Sequence, residues 1–327
     1  MNDPSPGKVV AIGGGTGLPI LLEAIKPSGF GENFEKLSAI VTVSDSGGSS
    51  GRLRRDLGTL APGDIRNCLV ALSEAPDLMR ELFQYRFSQG ELQGHSFGNL
   101  FIVALAEILG DFSLAIEKIH DILAIKGNIF PSTKENVELV AKFSDGKVLK
   151  GEEKITAQNG TIVDIYLEPG NCSAPQGAID SLKEANLILL GPGSLFTSVI
   201  PNILVKDISE AIISSRARKI YICNLVTQPC ETTGFKASDH IKAIFKFGGK
   251  GIVDTILCND REMSTSTLNH YKEAESEPVK IDEEELLSLN LAVIKRDLLF
   301  EQDVVRHDPK KLKKAIFELL KTTVEMI

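Results

Sequence analysis

Five small residues lie between a predicted strand and a predicted helix near the N-terminus: Gly13, Gly14, Gly15, Thr16 and Gly17. Because glycine has no Cβ atom, backbone N–H groups in such a loop can approach a phosphate closely, and the helix N-terminus adds partial positive charge. The spacing departs from the dinucleotide fingerprint, since Leu18 stands where a third glycine is expected. The loop therefore predicts a phosphate-bearing ligand and disfavours NAD and FAD.

A second loop of small residues follows the next predicted strand, and it contains Asp45. An acidic side chain at this place in a nucleotide-binding sheet can accept hydrogen bonds from ribose hydroxyls, bind Mg²⁺ or only cap the next helix. The residues after it form a second candidate anion site through their hydroxyl and N–H groups: Gly47, Gly48, Ser49 and Ser50.

The glycine pattern recurs after a later predicted strand, at Gly193 and Ser194. Ligands of open α/β sheets bind at the carboxyl ends of the strands, so we expect this segment to face the same ligand as the first loop. Polar side chains also interrupt apolar helical segments, at Asp64, Asn67, His95 and Asn99. Because buried polar groups need partners, these residues either line the pocket or form a structural network.

Few catalytic centres fit the remaining residues. Asp45 and Asp64 are the candidate base or metal ligands if the protein is an enzyme. The histidines show no metal-ligand spacing such as H-E-x-x-H, no G-K-[ST] follows a glycine loop, and we expect no serine nucleophile elbow. The five cysteines have no C-x-x-C spacing, so we expect reduced thiols, mostly in the core, rather than a zinc site or a disulfide framework.

The elements that position these loops follow from hydrophobic periodicity. Short apolar runs predict parallel strands at 8–12, 37–43, 185–190, 219–224 and 252–258, and amphipathic spacing predicts a helix after several of them. We expect a helical insertion over 62–125 and a small antiparallel β insertion over 136–170, where Asp145-Gly146 is a hairpin turn signal. The prediction is an α/β fold with a Rossmann-like, mostly parallel sheet in one domain over 1–327.

Composition narrows the class of protein. The chain has 327 residues, 43% of them hydrophobic, which is enough for a full α/β core. A net charge of −8 disfavours binding to nucleic acid, which needs a concentrated basic surface. Apolar runs far shorter than about 20 residues predict no membrane span, and the N-terminal residues do not resemble a secretory signal. We therefore expect a soluble, cytoplasmic protein.

Several long motifs, in order and nearly end to end, strongly resemble the bacterial gluconeogenesis factor family, also called YvcK-like. The motifs are Ala11-Ile-Gly-Gly-Gly-Thr-Gly-Leu, Val43-Ser-Asp-Ser-Gly-Gly-Ser-Ser-Gly-Arg-Leu-Arg, Pro62-Gly-Asp-Ile-Arg-Asn, Gly94-His-Ser-Phe-Gly-Asn, Leu190-Gly-Pro-Gly-Ser-Leu-Phe-Thr-Ser, Tyr221-Ile-Cys-Asn-Leu-Val-Thr-Gln-Pro-Cys-Glu-Thr and Val305-Arg-His-Asp-Pro. Relatives often carry a second acidic or amide residue after the position of Asp45, where Ser46 stands here. This departure disfavours a two-carboxylate metal site at that loop.

The resemblance implies a regulatory protein that binds UDP-N-acetylglucosamine or a related UDP-sugar. It implies a role in cell shape and envelope precursor supply during gluconeogenic growth, with a regulated protein partner; a homo-oligomer stays open. The family is also similar to 2-phospho-L-lactate transferase (CofD-like), which joins a nucleotide-activated phospholactate to a deazaflavin. We favour a binder over this transferase. Tyr271 and Arg306 are expected either to close over the sugar or base, or to pack in the fold.

Overall fold

The computed structural model describes residues 7–27, 34–302 and 304–324. The N-terminal residues, which we expected not to be a secretory signal, lie mostly outside the described residues. So do the outer limits of the predicted domain 1–327. In chain order the elements are β1 (Lys8–Gly13), α1 (Gly17–Ile25), β2 (Lys36–Val41), α2 (Gly48–Leu57), α3 (Gly63–Leu72), α4 (Asp77–Gln84), α5 (Phe97–Leu109), α6 (Phe112–Leu123), β3 (Asn128–Pro131), β4 (Glu138–Phe143), β5 (Val148–Lys150), α7 (Glu152–Thr156), β6 (Ile162–Glu168), α8 (Gln176–Glu184), β7 (Leu187–Leu190), a π-helical turn (Leu195–Val199), α9 (Ile200–Ile203), α10 (Lys206–Ser214), β8 (Arg218–Ile222), α11 (Ala237–Gly248), β9 (Thr255–Asn259), α12 (Thr265–Glu273), α13 (Glu283–Ser288), β10 (Ala292–Arg296), β11 (Leu299–Phe300), β12 (Arg306–His307) and α14 (Pro309–Val324).

The central sheet has seven strands in the order β10-β9-β8-β7-β1-β2-β3, all parallel. Alternate residues of β1 enter two different cores, Val9 and Ala11 on one face and Val10 and Ile12 on the other. A strand covered on both faces has to be apolar throughout, which is why β1 reads as a continuous hydrophobic run. The predicted α/β fold with a Rossmann-like, mostly parallel sheet is confirmed.

The two edge strands, β3 and β10, were not predicted. β3 has only four residues and ends in proline, and β10 leaves its last two residues, Lys295 and Arg296, exposed. Edge strands carry weaker hydrophobic patterns because one side of each lacks a neighbouring strand and polar residues are tolerated there. The sheet is therefore wider by two strands than the periodicity indicated.

The segment predicted as helical contains α3, α4, α5 and α6, and the segment predicted as a small β region contains β4, β5 and β6 in the order β5-β4-β6. Gly146 has a φ of +87° in the turn between β4 and β5, where the Asp-Gly signal placed a hairpin. The sequence missed β5 and α7. The assignment of both segments as insertions in one domain stays a prediction.

In the part of the chain that the structure describes, no single helix is long and apolar enough to cross a membrane, although α5 and α6 together, bent by 120°, reach that length and composition. Four of the five cysteines are buried, as predicted, and Cys230 is half-buried.

Candidate functional site

The two predicted glycine loops meet at the carboxyl edge of the sheet, between β1 and β7. The strand order reverses there, because β2 and β3 lie on one side of β1 and β7 to β10 on the other. A Cβ atom at Gly17 would overlap the carbonyl of Pro192, and one at Gly193 would lie 3.5 Å from the carbonyl oxygen of Gly14. Such a switch point is where doubly wound sheets bind ligands.

The first loop is closed by a carboxylate. The N–H of Gly15, which has a φ of +60°, donates a hydrogen bond to Oδ2 of Asp64 at 2.7 Å. A Cβ atom at Gly14 would lie 2.6 Å from the same oxygen and 2.5 Å from Cγ2 of Thr42. Oδ2 of Asp64 thus already occupies the place beside Gly15 where a phosphate oxygen was expected. The next residue of the loop, Thr16, is exposed.

Asp45 lies at the N-terminus of α2 but is not its N-cap residue. Its Oδ1 accepts a hydrogen bond from the N–H of the N-cap residue Gly47 at 2.8 Å. A Cβ atom at Gly63 would lie 3.0 Å from Asp45 Oδ2 and 2.5 Å from Oγ of Ser50, so the N-termini of α2 and α3 converge on this carboxylate. The structure therefore brings Asp45, Gly47 and Ser50 to one place, and their role as a second anion site stays a prediction.

Ser46 connects this loop to the small β region that contains β4, β5 and β6. Its Oγ accepts a hydrogen bond from the N–H of Glu153 at 3.2 Å, and a Cβ atom at Gly151 would lie 2.9 Å from it. The same contact places α7, and with it Glu152, against the loop. A carboxyl group from a different element, that of Glu152, thus lies near the loop in which Ser46 stands in place of an acid.

Four carboxylates interact electrostatically at this edge: Asp45, Asp64, Glu152 and Glu231. Burial, together with the negative charge of Asp45, raises the pKa of Asp64 to about 7, against the hydrogen bond from Gly15. Burial and the charges of Asp45, Asp64 and Glu231 raise the pKa of Glu152 to about 9. No three His, Cys, Asp or Glu side chains of the described residues are placed to hold a metal ion by themselves.

Glu231 connects the acids to the second glycine loop. Its carboxylate accepts hydrogen bonds from Ser194 Oγ at 2.5 Å and Thr197 Oγ1 at 3.3 Å. Burial still raises its pKa. The sequence reasoning missed Glu231 and Glu152. Glu231 does lie in one of the motifs that carry the family resemblance, but nothing in the sequence marks Glu152.

The polar residues of the helical segment form a network around Arg66. Its Nη1 donates to Oδ1 of Asn99 at 3.1 Å and its Nη2 to Oδ1 of Asn67 at 2.7 Å. Asn67 and Asn99 therefore belong to a structural network. They also line a cavity of about 260 Å³ at the N-terminus of α2, and their place in a ligand pocket stays a prediction. His95 does not line that cavity but contacts Ser49, which does.

Residues 47–51 read Gly-Gly-Ser-Ser-Gly and match G-x-S-x-G, so the expectation of no serine nucleophile elbow has to be judged from the structure and not from the absence of the motif. Ser49 lies in the first turn of α2, eight residues after the end of β2, with its Oγ 3.1 Å from Nδ1 of His95. Burial and the charge of Arg52 lower the pKa of His95. Ser49 is only 3% exposed, so the pair resembles a buried hydrogen bond more than the exposed elbow of a hydrolase.

Tyr271 lies in α12, and Arg306 lies in β12 beside His307, whose Nε2 is 3.2 Å from the carbonyl oxygen of Cys223, the residue after β8. The hydroxyl of Tyr271 accepts a hydrogen bond from the N–H of Val305 at 2.8 Å, and Arg306 is exposed. A cavity of about 680 Å³ lies at the same end of the sheet, lined by residues of the segments 223–225, 258–263 and 278–281 and by Leu268 of α12. Neither Tyr271 nor Arg306 lines it, and their role in binding stays a prediction.

Comparisons with known proteins agree with this architecture. The family model described as 2-phospho-L-lactate transferase CofD matches residues 9–299. A relative from Aquifex aeolicus, whose gluconeogenesis factor name is provisional, is 52% identical over 95% of this chain and 96% of its own length. The gluconeogenesis factor of Bacillus subtilis is 42% identical over 96% of this chain and 98% of its own length.

A crystal structure of a member of the UPF0052 family from Bacillus halodurans matches with a TM-score of 0.91 and 42% identity, covering 95% of this chain and 99% of that one. The resemblance in the motifs, the matched family model and the shared fold all agree. The chain therefore belongs to the CofD family and, within it, to the proteins called gluconeogenesis factors.

Proposed function

We propose that this protein binds a UDP-sugar, with UDP-N-acetylglucosamine as the first candidate, at the carboxyl edge of the sheet and acts as a regulator. The observation that carries the proposal is the meeting of two glycine loops at the switch point between β1 and β7. Helix N-termini and N–H groups at such an edge favour a diphosphate. Membership of the gluconeogenesis factors supports a role in cell shape and envelope precursor supply, through a protein partner in the cytoplasm.

The charge of the acids at the site affects how well a diphosphate can bind there. A diphosphate placed near Asp45, Asp64, Glu152 and Glu231 is repelled by every one of them that is ionised. The raised pKa of Asp64 and of Glu152 reduces that repulsion at neutral pH. Mg²⁺ would reduce it further, with phosphate oxygens and waters supplying most of its ligands and Asp45 the protein contribution.

Calorimetry with two matched glycine variants tests the proposal. Gly15 and Gly58 have φ values of +60° and +66°, so replacing either with Val strains the backbone similarly. Gly58 caps the C-terminus of α2 and has open space around it, whereas Gly15 lies in the first loop. We expect Gly15→Val to abolish binding of UDP-N-acetylglucosamine and Gly58→Val to retain it. Equal affinities of both folded variants and the parent would contradict the placement.

The second candidate is transfer of a phospholactate-type group, as in the family for which the matched model is named. The observation that favours it is Asp64, whose pKa of about 7 suits a general base at neutral pH. Asp64 touches the glycine loop through Gly15, so a base there would be next to the bound nucleotide. The binder remains the first candidate because the relatives from Aquifex aeolicus and Bacillus subtilis carry the name of a factor, not of an enzyme.

A further inference from the structure

The helix α5 is apolar on nearly every side, yet the chain covers only part of it. Among its 13 residues a single one, Glu107, is charged. Its buried residues are Gly98, Asn99, Ile102 and Val103. Ile108, close to its C-terminal end, is 79% exposed. A helix that is apolar all round is normally covered on all sides, so the surroundings of α5 in a single chain are incomplete.

The helix α4 lies beside α5 and runs in the opposite direction. The N–H of Phe97 donates a hydrogen bond to the carbonyl oxygen of Tyr85 at 2.8 Å, and the ring centroids of Phe83 and Phe101 are 5.2 Å apart. Each step back along α4 from Phe83 therefore corresponds to a step forward along α5 from Phe101. At about 1.5 Å per residue, Ile108 lies level with the first residue of α4. No further turn of α4 remains to cover it.

The outer side of α4 carries large apolar side chains at helical spacing. Leu78, Leu82 and Tyr85 are four and three residues apart, which puts them on one side of the helix, and they are 78%, 39% and 50% exposed. Phe83, on the inner side, is buried against α5. Among the residues that the structure describes, Leu78 and Ile108 are the most exposed of the large hydrophobic ones, and both lie at the same end of this helix pair. We call Leu78, Leu82, Tyr85 and Ile108 the exposed apolar face.

The charges along this face are balanced, although the whole chain has a net charge of −8. The helix α4 and the two residues after it contain two acids and two arginines, and so carry no net charge. Asp77 lies at one end of the face and Arg86 at the other. When two copies of α4 cross in opposite directions about Leu82, Asp77 of each copy is level with Arg86 of the other. Leu78 is then level with Tyr85, so the face is complementary to itself in charge as well as in apolar character.

We propose that the exposed apolar face is a docking surface for a second copy of this chain, related to the first by a two-fold axis that passes near Leu82. Such isologous pairs are the commonest closed assemblies of soluble proteins, and they need one self-complementary surface. A partner of strongly basic or strongly acidic character is disfavoured, because the face itself carries no net charge. The inference does not depend on which ligand the glycine loops bind.

Sedimentation velocity of the full chain, at concentrations up to about 100 µM, measures the association. We expect a dimer whose fraction rises with concentration. Leu78→Glu and Leu82→Glu should each raise the dissociation constant roughly tenfold or more, since a two-fold interface loses the side chain twice. Leu287→Glu is the matched control, because Leu287 is 55% exposed on α13, which packs against β10. It should leave the dissociation constant unchanged.

Two further variants distinguish a second copy from any other partner. Leu82→Cys places a thiol near the two-fold axis, next to the same thiol of the second copy. Mild oxidation with diamide should therefore give a covalent dimer on a non-reducing gel, whereas the parent and Leu287→Cys stay monomeric there. Glu81→Gln should tighten the association, because Glu81 lies beside Leu82 and two copies bring its negative charges together at the axis.

A parent chain that stays monomeric over the whole concentration range would overturn the proposal. A dimer that Leu78→Glu and Leu82→Glu leave intact, with circular dichroism showing folded variants, would overturn it too, because the contact would then use another surface. Binding of a monomeric parent to phosphatidylcholine vesicles, lost in Leu78→Glu, would assign the face to a lipid surface instead of a second copy.

Discussion

The N–H of Gly15 and the carboxylate of Asp64 form a hydrogen bond of 2.7 Å that joins the first glycine loop to the first turn of α3, 49 residues later. The bond fixes the loop in the left-handed conformation that only glycine adopts readily. It also places a half-buried acid between the two candidate anion sites. The ionisation state of Asp64 is therefore a property that both stability and binding depend on.

Asp64 is expected to make stability fall as pH rises. Its pKa is about 7 in the folded chain and has an ordinary value of 3.8, so the unfolded chain loses this proton first. The protonated Asp64 side chain contributes on the order of a few kcal/mol to the free energy of unfolding. This contribution is fully present below about pH 4 and is lost as pH rises through about 7. Glu152 has a pKa of about 9, so the loss of stability continues to higher pH. Urea unfolding of the parent and Asp64→Asn at several pH values checks this: the variant should lose less stability between pH 4 and 7. Parallel curves would contradict the burial of an ionisable acid.

Arg54 is expected to be a main connection between α2 and the small β region. It donates hydrogen bonds to the carbonyls of Asp45 and Val137 and to Oδ1 of Asn136. Arg54→Met leaves these acceptors without their donor, at a cost of about 2–4 kcal/mol in the free energy of unfolding. Arg55→Met, on the exposed side of the same helix, should change it by less than about 0.5 kcal/mol. Chemical denaturation measures both, and similar stabilities for the two variants would refute the connection.

Tyr271 and Arg306 are expected to contact the sugar or base of the UDP-sugar by stacking and charge-assisted hydrogen bonding. Tyr271→Ala and Arg306→Ala should each lower the affinity for UDP-N-acetylglucosamine by about tenfold, whereas Tyr271→Phe keeps the ring and should retain most of it. Arg306 is exposed, so its replacement tests binding without disturbing the core. If calorimetry finds parental affinity in both alanine variants, the two residues have only a packing role.

The protein is expected not to turn over its ligand. The purified chain with Mg²⁺ is incubated with UDP-N-acetylglucosamine alone, and separately with a deazaflavin and a nucleotide-activated phospholactate, and the products are separated by chromatography. We expect none, because a regulator needs binding without an aligned acceptor. Product that disappears in Asp45→Asn or Asp64→Asn would establish a transferase instead, since each change removes a candidate charge or base while keeping the size of the side chain. Product that persists in Ser49→Ala would exclude the Ser49–His95 pair as its source.

Local pattern was enough for the centre of the sheet and for the glycine loops. The five inner strands are short and apolar throughout because they are covered on both faces. This pattern can be recognised within a few consecutive residues of the sequence. Because β1 and β7 could be located in this way, the glycines that follow them, Gly13 to Gly17 and Gly193, could be placed at their carboxyl ends. β3 and β10 could not, because edge strands tolerate polar residues and their positions depend on a neighbour far along the chain.

The composition of the site was decided by the tertiary structure. Glu152 interacts electrostatically with Asp45 because α7 packs on Ser46, and Glu231 lies at the second loop because Ser194 and Thr197 donate hydrogen bonds to it. Neither acid has a fixed spacing to the glycine loops, so spacing could not place either one at the site, although Glu231 lies in one of the motifs that carry the family resemblance. Sequence determines which residues can bind phosphate locally, through missing Cβ atoms and helix N-termini. Which charges surround that phosphate, and how far burial shifts their pKa values, depends on distances between segments that only folding brings together.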